Sequence, residues 1–156
     1  MIYGLGGIDK TQLAVKFTRR YHRKFSSVFW LDGSSEVSLK LSIARCAGRI
    51  SAGQISDMSR TFSISSEDNL DEVVGEVMGW LAQPDNTDWL IMFDNIDRDY
   101  GLHTADPLAY DVRRYFSGAD HGSVLIITRL ARLEQLGGSQ QVSKVNRAQT
   151  QAILKS

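Results

Sequence analysis

The densest chemistry in this chain lies near its amino terminus, where Gly4 to Thr11 read G-L-G-G-I-D-K-T. This misses by one residue the pattern G-x-x-x-x-G-K-S/T, whose backbone N–H groups cradle phosphate oxygens. Gly4, Gly6 and Gly7 let the backbone turn through positive φ and approach a ligand closely. Successive N–H groups at a helix start then make an anion-binding nest. Lys10 can reach terminal phosphates, and the Thr11 hydroxyl can ligate magnesium. The departure is Asp9, an acid where the pattern has glycine. Two unit charges about 4 Å apart repel by roughly 4 kcal/mol at an effective dielectric of about 20. That is nearly a thousandfold in affinity, at about 1.4 kcal/mol per factor of ten. Magnesium and Lys10 offset part of it. Asp9 also stands where a helix N-cap belongs. Its carboxylate is therefore expected to accept the free N–H groups of the first turn and to fill the phosphate site from within.

Two later positions complete a set. Asp94 ends the apolar run "WLIMFD", and an acid there can hold the magnesium that bridges phosphates. A turn aspartate would look the same. Asn95 follows, and an amide can position water but cannot take its proton. Hydrolysis is therefore expected to be slow at most, with Asp97 the alternative acid. Arg129 follows "GSVLIIT", from where a guanidinium can reach a γ-phosphate; a surface arginine is the plainer reading. Each signal is weak alone. Together, in chain order and each at a strand end, they point to one nucleotide site.

The remaining titratable residues carry less. The basic residues Lys10, Lys16, Arg19, Arg20, Arg23 and Lys24 read as a solvated helix face, because 18 basic and 18 acidic residues balance over the chain. No net field argues for nucleic acid. His22, His103 and His121 lack metal-ligand spacing. Cys46 is the single cysteine, so no intrachain disulfide forms and a cytoplasmic setting fits. It reads as a small buried hydrophobe, and Trp30, Trp80 and Trp89 as core or sheet cover. No apolar run reaches the roughly 20 residues of a membrane span.

The elements that position these residues alternate in type. Met1–Tyr3 end a strand, and Lys10–Lys24 make a helix with Leu13, Phe17 and Tyr21 as its stripe. Val28–Leu31 form a strand. A helix over residues 35–50 sets Val37, Leu41 and Ala44 on one face. Residues 53–66 are polar and irregular. A helix over residues 69–83, capped by Asn69, buries Leu70, Val73, Val77, Trp80 and Leu81. Trp89–Phe93 and Val124–Ile127 are continuous apolar strands of the kind buried on both faces. Residues 107–116 form a shorter helix, 139–145 hold a last short strand, and 146–156 a helix. Alternation of this kind gives an α/β fold with a parallel sheet whose ligands bind at the carboxyl ends of the strands.

The stretches "YGLGGIDKTQLAVKF", "VFWLDGSS", "WLIMFDNID", "GSVLIITRL" and "VSKVNRAQTQAIL" together resemble the nucleotide-binding domain of the STAND class of P-loop NTPases. They are most similar to the NB-ARC (NACHT-like) domain of NOD-like receptors of the fungal type, along nearly the whole chain. The resemblance implies a three-layer αβα sandwich with strand order 2-3-1-4-5 and ATP or ADP with Mg2+ as ligand. Gly4, Leu5, Gly6, Gly7, Ile8, Asp9, Lys10, Thr11 and Gln12 would form the phosphate loop, with Thr11 and Asp94 on the metal. Asp94 would be the Walker B acid, Asn95 would take the place of a second acid, and Arg129 would be the sensor arginine. It also implies a switch driven by nucleotide exchange and self-association within a receptor of innate-immune or self/non-self signalling, including heterokaryon incompatibility. On this reading residues 1–146 are the core, with a shortened first strand, and residues 147–156 begin a following helical module, itself cut short. The alternatives are a slow ATPase and a nucleotide-free interaction module that keeps the fold.

Overall fold

The computed structural model describes residues 1–4, 9–62, 69–98, 100 and 106–141. Five parallel strands, β1 (Ile2–Tyr3), β2 (Ser27–Asp32), β3 (Trp89–Asp94), β4 (Ser123–Thr128) and β5 (Gln140–Gln141), form one sheet. The helices are α1 (Lys10–Tyr21), α2 (Glu36–Cys46), the single turn α3 (Asp57–Arg60) and α4 (Leu70–Leu81).

Side-chain alternation along the strands decides which helix covers which face. Phe29, Leu31, Ile91, Phe93 and Ile126 point to one face and pack with Leu39 and Ile43 of α2 and Val73, Val77 and Leu81 of α4. The residues one position away, Val28, Leu90, Met92, Leu125 and Ile127, meet Leu13, Ala14 and Phe17 of α1 on the other face. All six residues of β3 are buried, as its unbroken apolar run requires. Helices thus lie on both faces of a parallel sheet. No described helix is long and apolar enough to cross a membrane.

The strand order differs from the expected 2-3-1-4-5: it is β2-β3-β4-β1-β5. Strand β4 lies between β3 and β1, pairing Val124–Ile126 with Ile91–Phe93 and Ile127 and Thr128 with Ile2 and Tyr3. A strand has two hydrogen-bonding edges: in β4, Ser123–Ile126 pair with β3 on one, and Ile127 and Thr128 with the two-residue β1 on the other. Apolar content says that a strand is interior. It does not say which neighbour takes each edge.

Other corrections are local. In α2 the buried face is Leu39, Ile43, Ala44 and Cys46, continued by Ala47 and Ile50, while Val37 is 60% exposed. Steps of four and three residues from Leu39 define that stripe better than steps from Val37. Ser35 caps α2 through Ser38 N at 3.1 Å. Asn69 precedes α4 but makes no side-chain cap. The helix expected over residues 10–24 ends at Tyr21 and tightens into a 3-10 turn, His22–Lys24. The helix expected over residues 107–116 shrinks to the 3-10 turn Val112–Tyr115. There the Asp111 carboxylate accepts both Arg113 N and Arg113 Nε, offering the backbone a local alternative to a helix. A further 3-10 stretch, Ala131–Leu136, has no counterpart in the sequence reading. The expected last strand is present as β5, beside β1. The helix expected at 146–156, the proposed module at 147–156, His103 and residues 63–66 of the polar stretch lie outside the described residues.

Candidate functional site

Strand β1 delivers the chain to Gly4, and α1 starts at Lys10. Leu5, Gly6, Gly7 and Ile8 lie outside the described residues. The two ends of the loop are tied together: Lys10 is buried, and its Nζ donates to the Gly4 carbonyl at 2.8 Å. A lysine is rarely buried unless its ammonium is partnered. This contact holds the cation over the start of the glycine stretch.

At the second residue of α1, Thr11 Oγ1 stands 3.4 Å from Asp94 Oδ2, across 83 residues of sequence. The distance is long for a hydroxyl–carboxylate hydrogen bond, which ordinarily falls at about 2.5–3.0 Å. A carboxylate and a hydroxyl this close are nonetheless the hard oxygen donors that magnesium takes. Asp94 is buried at the end of β3, and its other oxygen accepts Asn95 N at 2.9 Å. Gln12 is exposed on α1.

The expected internal cap is absent. Asp9 occupies the N-cap position of α1 with φ −68° and ψ 47°, but its side chain makes no cap hydrogen bond and is exposed. Its backbone carbonyl alone closes the first turn, accepting Leu13 N at 2.9 Å. At ψ 47° Asp9 lies outside the extended conformation from which a cap side chain usually reaches back to the N2 and N3 amides.

The sequence reading missed Asp32. In the β2–β3 register Asp32 lies directly opposite Asp94, so two acids end neighbouring strands side by side. The signal was present in "VFWLD" and "LIMFD", two apolar strands each ended by aspartate. Asn95 connects them. It holds φ 62°, a left-handed conformation that asparagine tolerates better than most residues. From there its Nδ2 donates to Asp32 Oδ1 at 3.3 Å. Behind this pair the turn is closely packed: Gly33 N donates to Asp94 O at 2.7 Å, and Tyr110 OH donates to Gly33 O at 2.7 Å. A Cβ at Gly33 would fall 1.9 Å from Ile96 Cδ1, so only glycine fits without displacement. Burial, and the charges of Asp32 and Glu36, hold the Tyr110 phenol protonated far above its ordinary range.

Arg129 is at the rim and is engaged. Its backbone N–H donates to Asp97 Oδ1 at 2.7 Å, and its Nε lies 3.1 Å from Asp97 Oδ2. Asp97 is thus occupied by the arginine and does not stand in for a second acid beside Asp94. The Thr128 hydroxyl donates to Ile96 O and accepts from Leu130 N at 2.9 Å, lacing the exits of β3 and β4 together. Thr128 also pairs with Tyr3, so Arg129 and Gly4 leave adjacent strands side by side.

A cavity of about 260 Å³ opens beyond β3, lined by Ile96, Arg98, Tyr110, Arg113 and Leu133 among others. Its two arginines are paired, Arg98 with Asp106 at 2.9 Å and Arg113 with Asp111 at 2.7 Å. Among the described residues no cluster of three or more His, Cys, Asp or Glu forms a metal site. The gathered set is Gly4, Lys10, Thr11, Asp94 and Asn95, with Arg129 on the adjoining strand end. No protein-family model matches the chain, and no curated protein matches it.

Proposed function

We propose that this chain is a nucleotide-binding switch module of the P-loop type, similar to the NB-ARC domains of NOD-like receptors, with ATP or ADP and magnesium as ligands. The observation that carries this reading is the pairing of Thr11 with Asp94 at 3.4 Å beside a buried Lys10. Two motifs far apart in sequence, Lys10–Thr11 and Asp94, supply the groups that a phosphate–magnesium complex would need. Thr11 and Asp94 would hold the metal, which offsets phosphate charge when bound. Lys10 would exchange the Gly4 carbonyl for a phosphate oxygen. Turnover is expected to be slow, because the Asn95 amide can orient water but cannot accept its proton. A regulatory role, read from which nucleotide is bound, suits such a site better than rapid catalysis. Membership in a larger receptor and self-association through this module belong to the same proposal.

Calorimetric titration with Mg-ADP and Mg-ATP tests it. The expected result is saturable binding with Kd between about 1 μM and 1 mM, weakened at least about tenfold by Lys10→Ala and by Asp94→Ala. Saturable binding unaffected by either substitution would move the ligand elsewhere. No binding at all would favour the nucleotide-free interaction module.

A further inference from the structure

We infer that Asp97 is a positioning residue that competes with the terminal phosphate for Arg129, and so sets how strongly the site distinguishes a nucleoside triphosphate from a diphosphate. This rests on the nucleotide reading above and adds a determinant of selectivity to it. Asp97 grips Arg129 at two places of different character. Oδ1 accepts the backbone N–H at 2.7 Å and fixes where the chain leaves β4. Oδ2 faces Nε at 3.1 Å and restrains the side chain. The first contact is structural and the second is exchangeable. The Arg129 side chain is 64% exposed, and ion pairs in that setting are weak and readily replaced.

The backbone beneath the clasp is held independently. Thr128 OH bonds Ile96 O, and Ile96 N reaches Ile127 O at 3.4 Å, so releasing the guanidinium need not move either strand end. Thr128 pairs with Tyr3 in the β4–β1 register, and adjacent strands lie about 4.8 Å apart. Arg129 therefore leaves the sheet beside Gly4, whose carbonyl holds Lys10 Nζ at 2.8 Å. A long side chain anchored there has two anionic destinations, Asp97 and a phosphate held by Lys10. Arginine takes phosphate through paired N–H donors, which a single Nε contact to Asp97 does not match. A diphosphate lacking the outer group leaves Arg129 on Asp97. A triphosphate draws it away, at the cost of the clasp.

The test is the ratio of Mg-ATP to Mg-ADP affinity in the intact chain, by calorimetry. Asp97→Asn keeps an oxygen for the Arg129 backbone N–H but removes the charge. It is expected to raise the ratio about three- to fivefold, the range of one exposed ion pair. In an Arg129→Gln background the same substitution should change nothing, a result that a general loosening of the loop would not give. If both nucleotides bind but the ratio is the same in wild type and Asp97→Asn, the clasp is wrong and the nucleotide site stands. If neither protein binds either nucleotide, the site itself is wrong and this inference falls with it. Should Asp97→Asn fail to fold, Arg129→Gln alone decides: the ratio must fall below wild type, and a ratio at or above it overturns the inference.

Discussion

On the nucleotide reading proposed above, Asp9 would set how tightly phosphate is held, and the exposure of its side chain changes the expected size of the effect. A repulsion of about 4 kcal/mol assumes the effective dielectric of a pair near a protein surface, whereas a fully hydrated pair at the same distance repels by only about 1 kcal/mol. With its carboxylate exposed and making no cap, Asp9 falls toward the lower end. Asp9→Gly is therefore expected to tighten Mg-ATP binding by at least about fivefold, short of a thousandfold, as read by calorimetry. It should cost little stability, because glycine is itself acceptable at an N-cap. Cys46 gives a second prediction at this scale. Burial pushes its thiol up from 9.0 to about 11. The folded state thus holds the proton more tightly than the unfolded chain. The stability this contributes is complete below about pH 9 and is lost as pH rises toward 11. Denaturant unfolding at pH 8 and pH 10.5 should show a decline that Cys46→Ala reduces. At pH 8 the thiol should resist alkylation until the protein is unfolded.

The helices test which stripe each buries. Leu39 is fully buried between α2 and the sheet, whereas Val37 on the same helix faces solvent. Leu39→Ala should destabilise by about 2–5 kcal/mol. Val37→Ala should change stability by no more than about 0.5 kcal/mol. Denaturation midpoints of the two variants check this directly, and equal losses would contradict the packing of α2 on α4. Gly122, just before β4, has φ +80°, and a Cβ there would lie 2.3 Å from the Trp89 ring. Trp89 is itself fixed by Nε1 donating to Leu81 O at 2.9 Å, so it cannot move aside freely. Gly122→Ala is expected to cost more than about 1 kcal/mol through backbone conformation and overlap together.

For the whole molecule, the sheet order predicts where protection concentrates. Strand β3 is buried along its length and paired on both edges, with β2 and with β4. The amides of Trp89–Asp94 should exchange hydrogen only with global unfolding, while those of the two-residue strands β1 and β5 exchange through smaller openings. Mass-spectrometric exchange reads this, and early exchange across β3 would contradict its interior place.

Much of this was legible in the sequence. Apolar runs without alternation marked β3 and β4, and four-residue spacing marked α1 and α4. Their alternation gave the α/β class, because periodicity is a local property that each segment carries alone. Residue type and spacing also singled out Lys10, Thr11 and Asp94, and the fold sets Thr11 Oγ1 3.4 Å from Asp94 Oδ2 with Lys10 buried nearby. Only the tertiary structure decided that β4 separates β3 from β1, that Asp32 stands opposite Asp94, and that Arg129 rests on Asp97. Pairing of strand edges and of side chains far apart in sequence depends on which surfaces meet, and no single segment encodes that. The Asp9 carboxylate shows the same limit at one residue: its type favoured a cap, and the backbone conformation at its position left that cap unmade.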